Sequence, residues 1–161
     1  DQSFSSCTNL TGVIIPDGVT TIGNRAFNFC IGLTSVIIPD SVTSIGSYAF
    51  ADCTALNSVT PGTGIISIDS YAFNGCSNLA NVYIKDITAW WKISFNGSYA
   101  DPTDFGKKRF LDANGNEISA RLQYNVLTYC AKKYEYDKDY TLRGVYHLGV
   151  CAKAYAEAHA N

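Results

Sequence analysis

A repeat of 23 residues constrains the fold of this chain more than any other feature of its sequence. Phenylalanine recurs at this step, and a cysteine, a leucine and a valine follow it at successive intervals of three residues. The recurring cysteines are Cys7, Cys30, Cys53 and Cys76. A fixed step of this size is typical of a solenoid, in which each unit buries its apolar side only by stacking on its neighbours. The sequence therefore predicts a stacked array.

Each unit contains one segment with the period-two pattern of a strand. In the second unit Leu33, Val36 and Ile38 are the predicted inward residues. Pro39 then ends the strand, because proline has no amide hydrogen to give to a ladder. The segment that follows, Ser47 to Phe50, is expected to make one helical turn before the next unit begins.

This pattern resembles the leucine-rich repeats of the BspA-like bacterial surface-protein family. The matching motif is Phe-x-x-Cys-x-x-Leu-x-x-Val-x-Ile-Pro-x-x-Val-x-x-Ile-Gly-x-x-Ala-Phe, and its third copy departs from it at Pro61, where we expect a shorter strand. The resemblance implies a leucine-rich repeat solenoid over residues 1–84, with a parallel β-sheet and short helical turns. It also implies a protein- or glycan-binding module that is extracellular or lies at a bacterial cell surface.

The recurring cysteines are predicted to be free, buried thiols. Stacked units in a parallel sheet lie about 4.8 Å apart, and their parallel side chains keep the Cβ atoms near that spacing. A disulfide needs Cβ atoms about 3.8 Å apart that point towards each other. We therefore expect the cysteine column to act as a small apolar filler of the core.

The composition excludes some classes of partner. A formal net charge of -2 gives no electrostatic reason to expect binding to nucleic acid. No apolar run approaches the roughly 20 residues that span a bilayer. The segment Asp112 to Asn116 has some features of a calcium loop, but Glu117 stands where such a loop needs glycine, so a hairpin turn on Asn114-Gly115 is predicted instead. We expect no metal and no cofactor.

The strand residues that point away from the core form a candidate contact surface. One outward column is more apolar than solvated residues need to be, and it consists of Ile14, Ile37, Thr60 and Tyr83. The alternative is that these residues only reflect β-propensity on a short sheet. The first unit is also expected to have an open edge at Val13 to Ile15, through which two chains could associate.

Residues 85–117 are predicted to form a transition that contains two adjacent tryptophans, Trp90 and Trp91. These rings could form a platform on which a sugar stacks. The other interpretation, which we favour, is that at least one of them covers the end of the repeat array, because the ends of a solenoid need a cap.

Residues 118–161 are predicted to be helical, and one interpretation is that they form the front of a truncated domain. A helix, a Tyr-x-Tyr-Asp loop and the segment from Gly149 to Ala158 resemble the start of the transglutaminase-like, papain-type cysteine enzymes. The resemblance implies that Cys151 is a nucleophile at the start of a helix, where a thiolate is stabilised. The other interpretation, which we favour, is that Cys151 is another buried thiol on an amphipathic helix. Its histidine and aspartate partners would follow after Asn161, so we expect no complete catalytic set in this chain.

Overall fold

The computed structural model describes residues 1–86, 89–90, 92–111 and 114–117. Eight short strands occur in this part of the chain: β1 (Thr21–Ile22), β2 (Ser35–Ile37), β3 (Ser44–Ile45), β4 (Ser58–Thr60), β5 (Ser67–Asp69), β6 (Asn81–Ile84), β7 (Ser94–Asn96) and β8 (Lys107–Phe110). They form two parallel sheets, which we call sheet I (β2-β4-β6-β8) and sheet II (β1-β3-β5-β7). The predicted parallel solenoid is confirmed.

Equivalent residues of successive units pair in both sheets. In sheet I, Val59 pairs with Val36 on one side and with Val82 on the other. In sheet II, Ile45 of β3 pairs with Ile22 of β1, again at a step of 23 residues. The second sheet was not predicted; Ile45 in β3 and Val42 just before it are both fully buried.

The core consists of columns of identical or similar side chains that run along the solenoid. The phenylalanine column is stacked, with ring centroids 5.2 to 5.4 Å apart. Burying an aliphatic or aromatic side chain of this size contributes about 1.5 to 3 kcal/mol. The buried residues of the leucine, valine and isoleucine columns are Leu33, Leu56, Leu79, Val36, Val59, Val82, Ile22, Ile45 and Ile68.

The segment that joins one unit to the next is not the predicted helical turn. Tyr48 has φ 59°, which lies outside the right-handed helical region. The amide of Tyr48 donates to the carbonyl of Ser70 at 3.2 Å, and the amide of Phe50 donates to that of Ala72 at 2.8 Å. The bonds within the segment are those of turns, such as the bond from the amide of Ala49 to the carbonyl of Gly46 at 3.2 Å. The expected helical turn was therefore wrong.

The third unit keeps the strand length that Pro61 was expected to reduce. Strand β4 has three residues, as β2 has. In the second unit the amide of Ile38, just after β2, donates to the carbonyl of Thr60. Pro61 occupies the equivalent position after β4, so its missing amide removes one hydrogen bond beyond the strand and leaves β4 intact.

The end of the described region contains a 3-10 helix and a hairpin. The 3-10 helix spans Pro102–Asp104 and is capped by the side chain of Asp101. Leu111 forms an antiparallel bridge with Glu117, and Gly115 between them has φ 83°, in agreement with the predicted turn. Residues 118–161, with the predicted helices and Cys151, lie outside the described residues.

Candidate binding face

The outer face of sheet I carries the predicted apolar column. Ile37 in β2 is 65% exposed, while Val36 beside it is buried, as strand alternation requires. Ile14, in the first unit, is 92% exposed, but the segment Val13 to Ile15, which was expected to form a strand, is not one, and sheet I begins with β2. Thr60 pairs with Ile37 in the sheet and is half-buried, and Tyr83 in β6 is also half-buried. The structure therefore places Ile37, Thr60 and Tyr83 on the outer face of sheet I, and Ile14 lies next to this face, in the same depression as Ile37.

These two isoleucines line a broad, open depression. Gly12, Val13 and Ile15 of the first unit contribute to its floor, and Ser35 and Pro39 of the second unit continue it. Polar and charged side chains from the turns after the strands also line the depression, namely Asp17, Asp40, Ser41 and Lys85. An apolar floor with a polar rim is the usual composition of a protein-binding patch.

Two of the charged side chains on this rim, which come from turns about two units apart, form an ion pair. The ammonium of Lys85 lies 2.8 Å from a carboxylate oxygen of Asp40, although 45 residues separate them in the sequence. The same oxygen accepts a hydrogen bond from the amide of Thr63 at 2.9 Å. The hydrogen bond from Lys85 is the main reason that the pKa of the Asp40 carboxyl lies below its ordinary value.

Trp90 does not belong to an exposed face. Its side chain is 3% exposed, and its ring lies 5.5 Å from that of Phe95. A sugar can stack only on an exposed ring, so we remove Trp90 from the candidate binding residues. Its burial fits the interpretation as a cover of the array. Trp91 lies outside the described residues.

The cysteine column is a feature of the core, as predicted. Cys30, Cys53 and Cys76 are free and fully buried, whereas Cys7 is partly exposed. The thiol of Cys53 donates to the carbonyl oxygen of Phe27 at 3.1 Å, and that of Cys76 donates to Phe50 in the same way.

Burial controls the protonation of these thiols. Desolvation raises the pKa of Cys30 and of Cys53, and it raises that of Cys76 to about 12. Because the thiolate is the nucleophile, these side chains are poorly suited to catalysis near neutral pH.

The sequence interpretation missed a column of aromatic rings on the surface of the joining segments. Tyr48 and Tyr71 are stacked with centroids 5.0 Å apart, and Tyr99 and Phe105 continue the column. The guanidinium of Arg25 lies 5.3 Å from the centre of the Tyr48 ring. The recurrence of Ser-Tyr-Ala-Phe at the repeat step was the available signal. Because the ring faces contact one another, this column stabilises the stacking of units.

Two features that would indicate another function are absent from the described residues: a metal-binding cluster and a membrane-spanning helix. No group of three or more histidine, cysteine, aspartate or glutamate side chains among them could hold a metal ion. In the same part of the chain, no helix has the length and apolarity needed to cross a membrane.

Three solved structures of bacterial repeat proteins are similar to parts of this chain. The leucine-rich repeat protein of T. pallidum is 28% identical, with a TM-score of 0.46, over 56% of this chain and 53% of that one. A leucine-rich repeat protein of Bacteroides ovatus is 27% identical, with a TM-score of 0.43, over 54% of this chain and 27% of that one. A leucine rich cell surface protein of Faecalibacterium prausnitzii is 26% identical, with a TM-score of 0.35, over 71% of this chain and 34% of that one.

The family match decides the classification. A search of curated proteins finds no match. The family model of the BspA type leucine rich repeat region matches residues 1–101 in six copies. It ends well before Cys151 and gives no support to the enzyme interpretation of residues 119–160. With the stacked parallel strands, the match shows that this chain belongs to the BspA-type leucine-rich repeat family.

Proposed function

We propose that this chain is a protein-binding repeat module that works outside the cell, at a bacterial cell surface, and that it binds its partner through the outer face of sheet I. The observation that carries the proposal is the exposure of Ile14 and Ile37 on the floor of one depression. Large aliphatic side chains that are exposed to water contribute favourable free energy when a partner covers them.

A protein partner fits this face better than a glycan. Glycan binding commonly uses an exposed aromatic ring, whereas Trp90, the described member of the tryptophan pair, is buried and Tyr83, the aromatic residue of the candidate face, is half-buried. The floor instead offers aliphatic side chains, against which the apolar side chains of a polypeptide can pack. The extracellular location is supported by the family to which the chain belongs.

The chain offers a closely matched control for a test of this face. Ile66, next to β5 of sheet II, is 64% exposed, almost the same fraction as Ile37. Ile37→Lys and Ile66→Lys therefore make the same chemical change on two different faces. Both variants should unfold at nearly the wild-type temperature, because each new ammonium remains in water.

The experiment applies the labelled wild-type chain and both variants to an array of purified secreted proteins and, in parallel, to a glycan array. We expect protein targets that bind the wild type and Ile66→Lys, and a loss of about tenfold or more in affinity for Ile37→Lys, because binding would bury an unpaired charge. Equal binding by the two variants, or binding to glycans alone, would overturn the proposal.

A further inference from the structure

The charged side chains that line the depression carry a net negative charge, and this charge indicates which ligand the depression favours. Its lining contains two carboxylates, those of Asp17 and Asp40, and one ammonium, that of Lys85. Lys85 is paired with Asp40. Within the described residues, the exposed carboxylate of Asp17 has no ion-pair partner. As far as these residues form the rim, it therefore has one uncompensated negative charge next to the apolar floor.

The turn that carries Asp17 is held in place by the neighbouring unit. The amide of Gly18 donates to the hydroxyl of Ser41 at 3.1 Å, and this hydroxyl donates to the carbonyl of Val19 at 2.9 Å. Ser41 thus connects both residues that follow Asp17 to the second unit. Because this backbone is held by the second unit, only the side chain of Asp17 has to be ordered when a ligand binds.

We propose, as a consequence of the proposed function, that the ligand of this face is a polypeptide segment in which a large apolar side chain lies next to a lysine or an arginine. The apolar side chain packs on Ile14 and Ile37, and the cation pairs with Asp17. An acidic segment would face an unpaired carboxylate instead, and like charges at an interface oppose binding.

The test selects peptides from a random library displayed on phage. Selection uses the wild-type chain, and peptides that also bind the Ile14→Ser/Ile37→Ser double variant are removed, because this variant loses the apolar floor without gaining charge. We expect the remaining peptides to be enriched in a lysine or arginine beside leucine, isoleucine or phenylalanine. Enrichment of acidic or uncharged peptides would overturn the charge assignment and leave the proposed function in place. A selection that yields no peptide specific for the wild type would overturn both.

One enriched peptide is then synthesised, and its Kd is measured by fluorescence anisotropy. Asp17→Asn should weaken binding by about two- to fivefold, as expected for an exposed ion pair, and raising the salt concentration should remove this difference. The control is Asp52→Asn on a joining segment, where φ is 58°, a conformation that asparagine adopts readily. An equal Kd for the wild type and Asp17→Asn would overturn the proposal.

Discussion

The buried thiols should make the stability of the solenoid depend on pH in the alkaline range. Cys53 and Cys76 are fully buried, and desolvation raises the pKa of both thiols, that of Cys76 to about 12. In the unfolded chain the same thiols ionise near their ordinary pKa of about 9. Above this pH the folded state holds more protons than the unfolded state, so raising the pH lowers the free energy of unfolding.

The expected magnitude follows from this difference in bound protons. The stability contribution is complete at pH 7 and is lost progressively between about pH 9 and the folded-state pKa. At pH 10 each thiol that remains protonated only in the folded state lowers stability by about 1 to 2 kcal/mol, and Cys53 and Cys76 together by about 2 to 4 kcal/mol. This loss is a large share of the free energy of unfolding, which is typically about 5 to 15 kcal/mol for a whole domain.

Urea denaturation at pH 7 and pH 10, under reducing conditions, measures this loss. The other ionisable groups are the same in the wild type and in each variant, so the informative quantity is the difference between variants. Cys76→Ala should lose about 1 to 2 kcal/mol less stability than the wild type between the two pH values. Cys7→Ala, which changes the partly exposed end of the same column, serves as the control. If Cys76→Ala loses as much stability as the wild type, desolvation of the thiol is not the cause.

The sequence predicted the inward residues better than the backbone that carries them. Leu33, Val36 and Ile38 are buried as expected, because a residue that recurs at one position of a stacked unit must face the same environment in every unit. Length does not explain why sheet II was missed, because β2 and β4 of sheet I also have three residues each. The buried residues around β3, Val42 and Ile45, are three positions apart and do not show the period-two alternation by which strands are recognised.

The joining segments show where tertiary contacts override local preference. Ser-Tyr-Ala-Phe has no helix breaker, and a helical turn was the reasonable expectation. In the structure Tyr48 has a positive φ, so its amide points at the next unit and donates to Ser70. This hydrogen bond exists only after two units have stacked, and the propensity of one segment contains no information about it.

The composition of the candidate face was predictable, but its charge pattern was not. Strand alternation alone placed Ile14 and Ile37 outside the core. The pairing of Asp40 with Lys85 depends on the stacking register of turns that are 45 residues apart in the sequence. The residues next to Asp40 or Lys85 in the chain therefore do not predict the ion pair. The unpaired Asp17 can be recognised only after that pairing is known.

Two predictions concern single positions in the array. A methyl group at Gly62 would overlap the backbone oxygen of Pro39, whereas one at Gly12 would meet no atom within 4 Å. Gly62→Ala should therefore destabilise the fold by about 1 to 3 kcal/mol, and Gly12→Ala should be neutral or slightly stabilising, in urea denaturation. Trp90→Ala tests the cap: removing a buried ring should cost about 3 to 5 kcal/mol, while Phe29→Ala, which removes a half-exposed ring, should cost much less. A Trp90→Ala variant with wild-type stability would show that this ring does not cover the core.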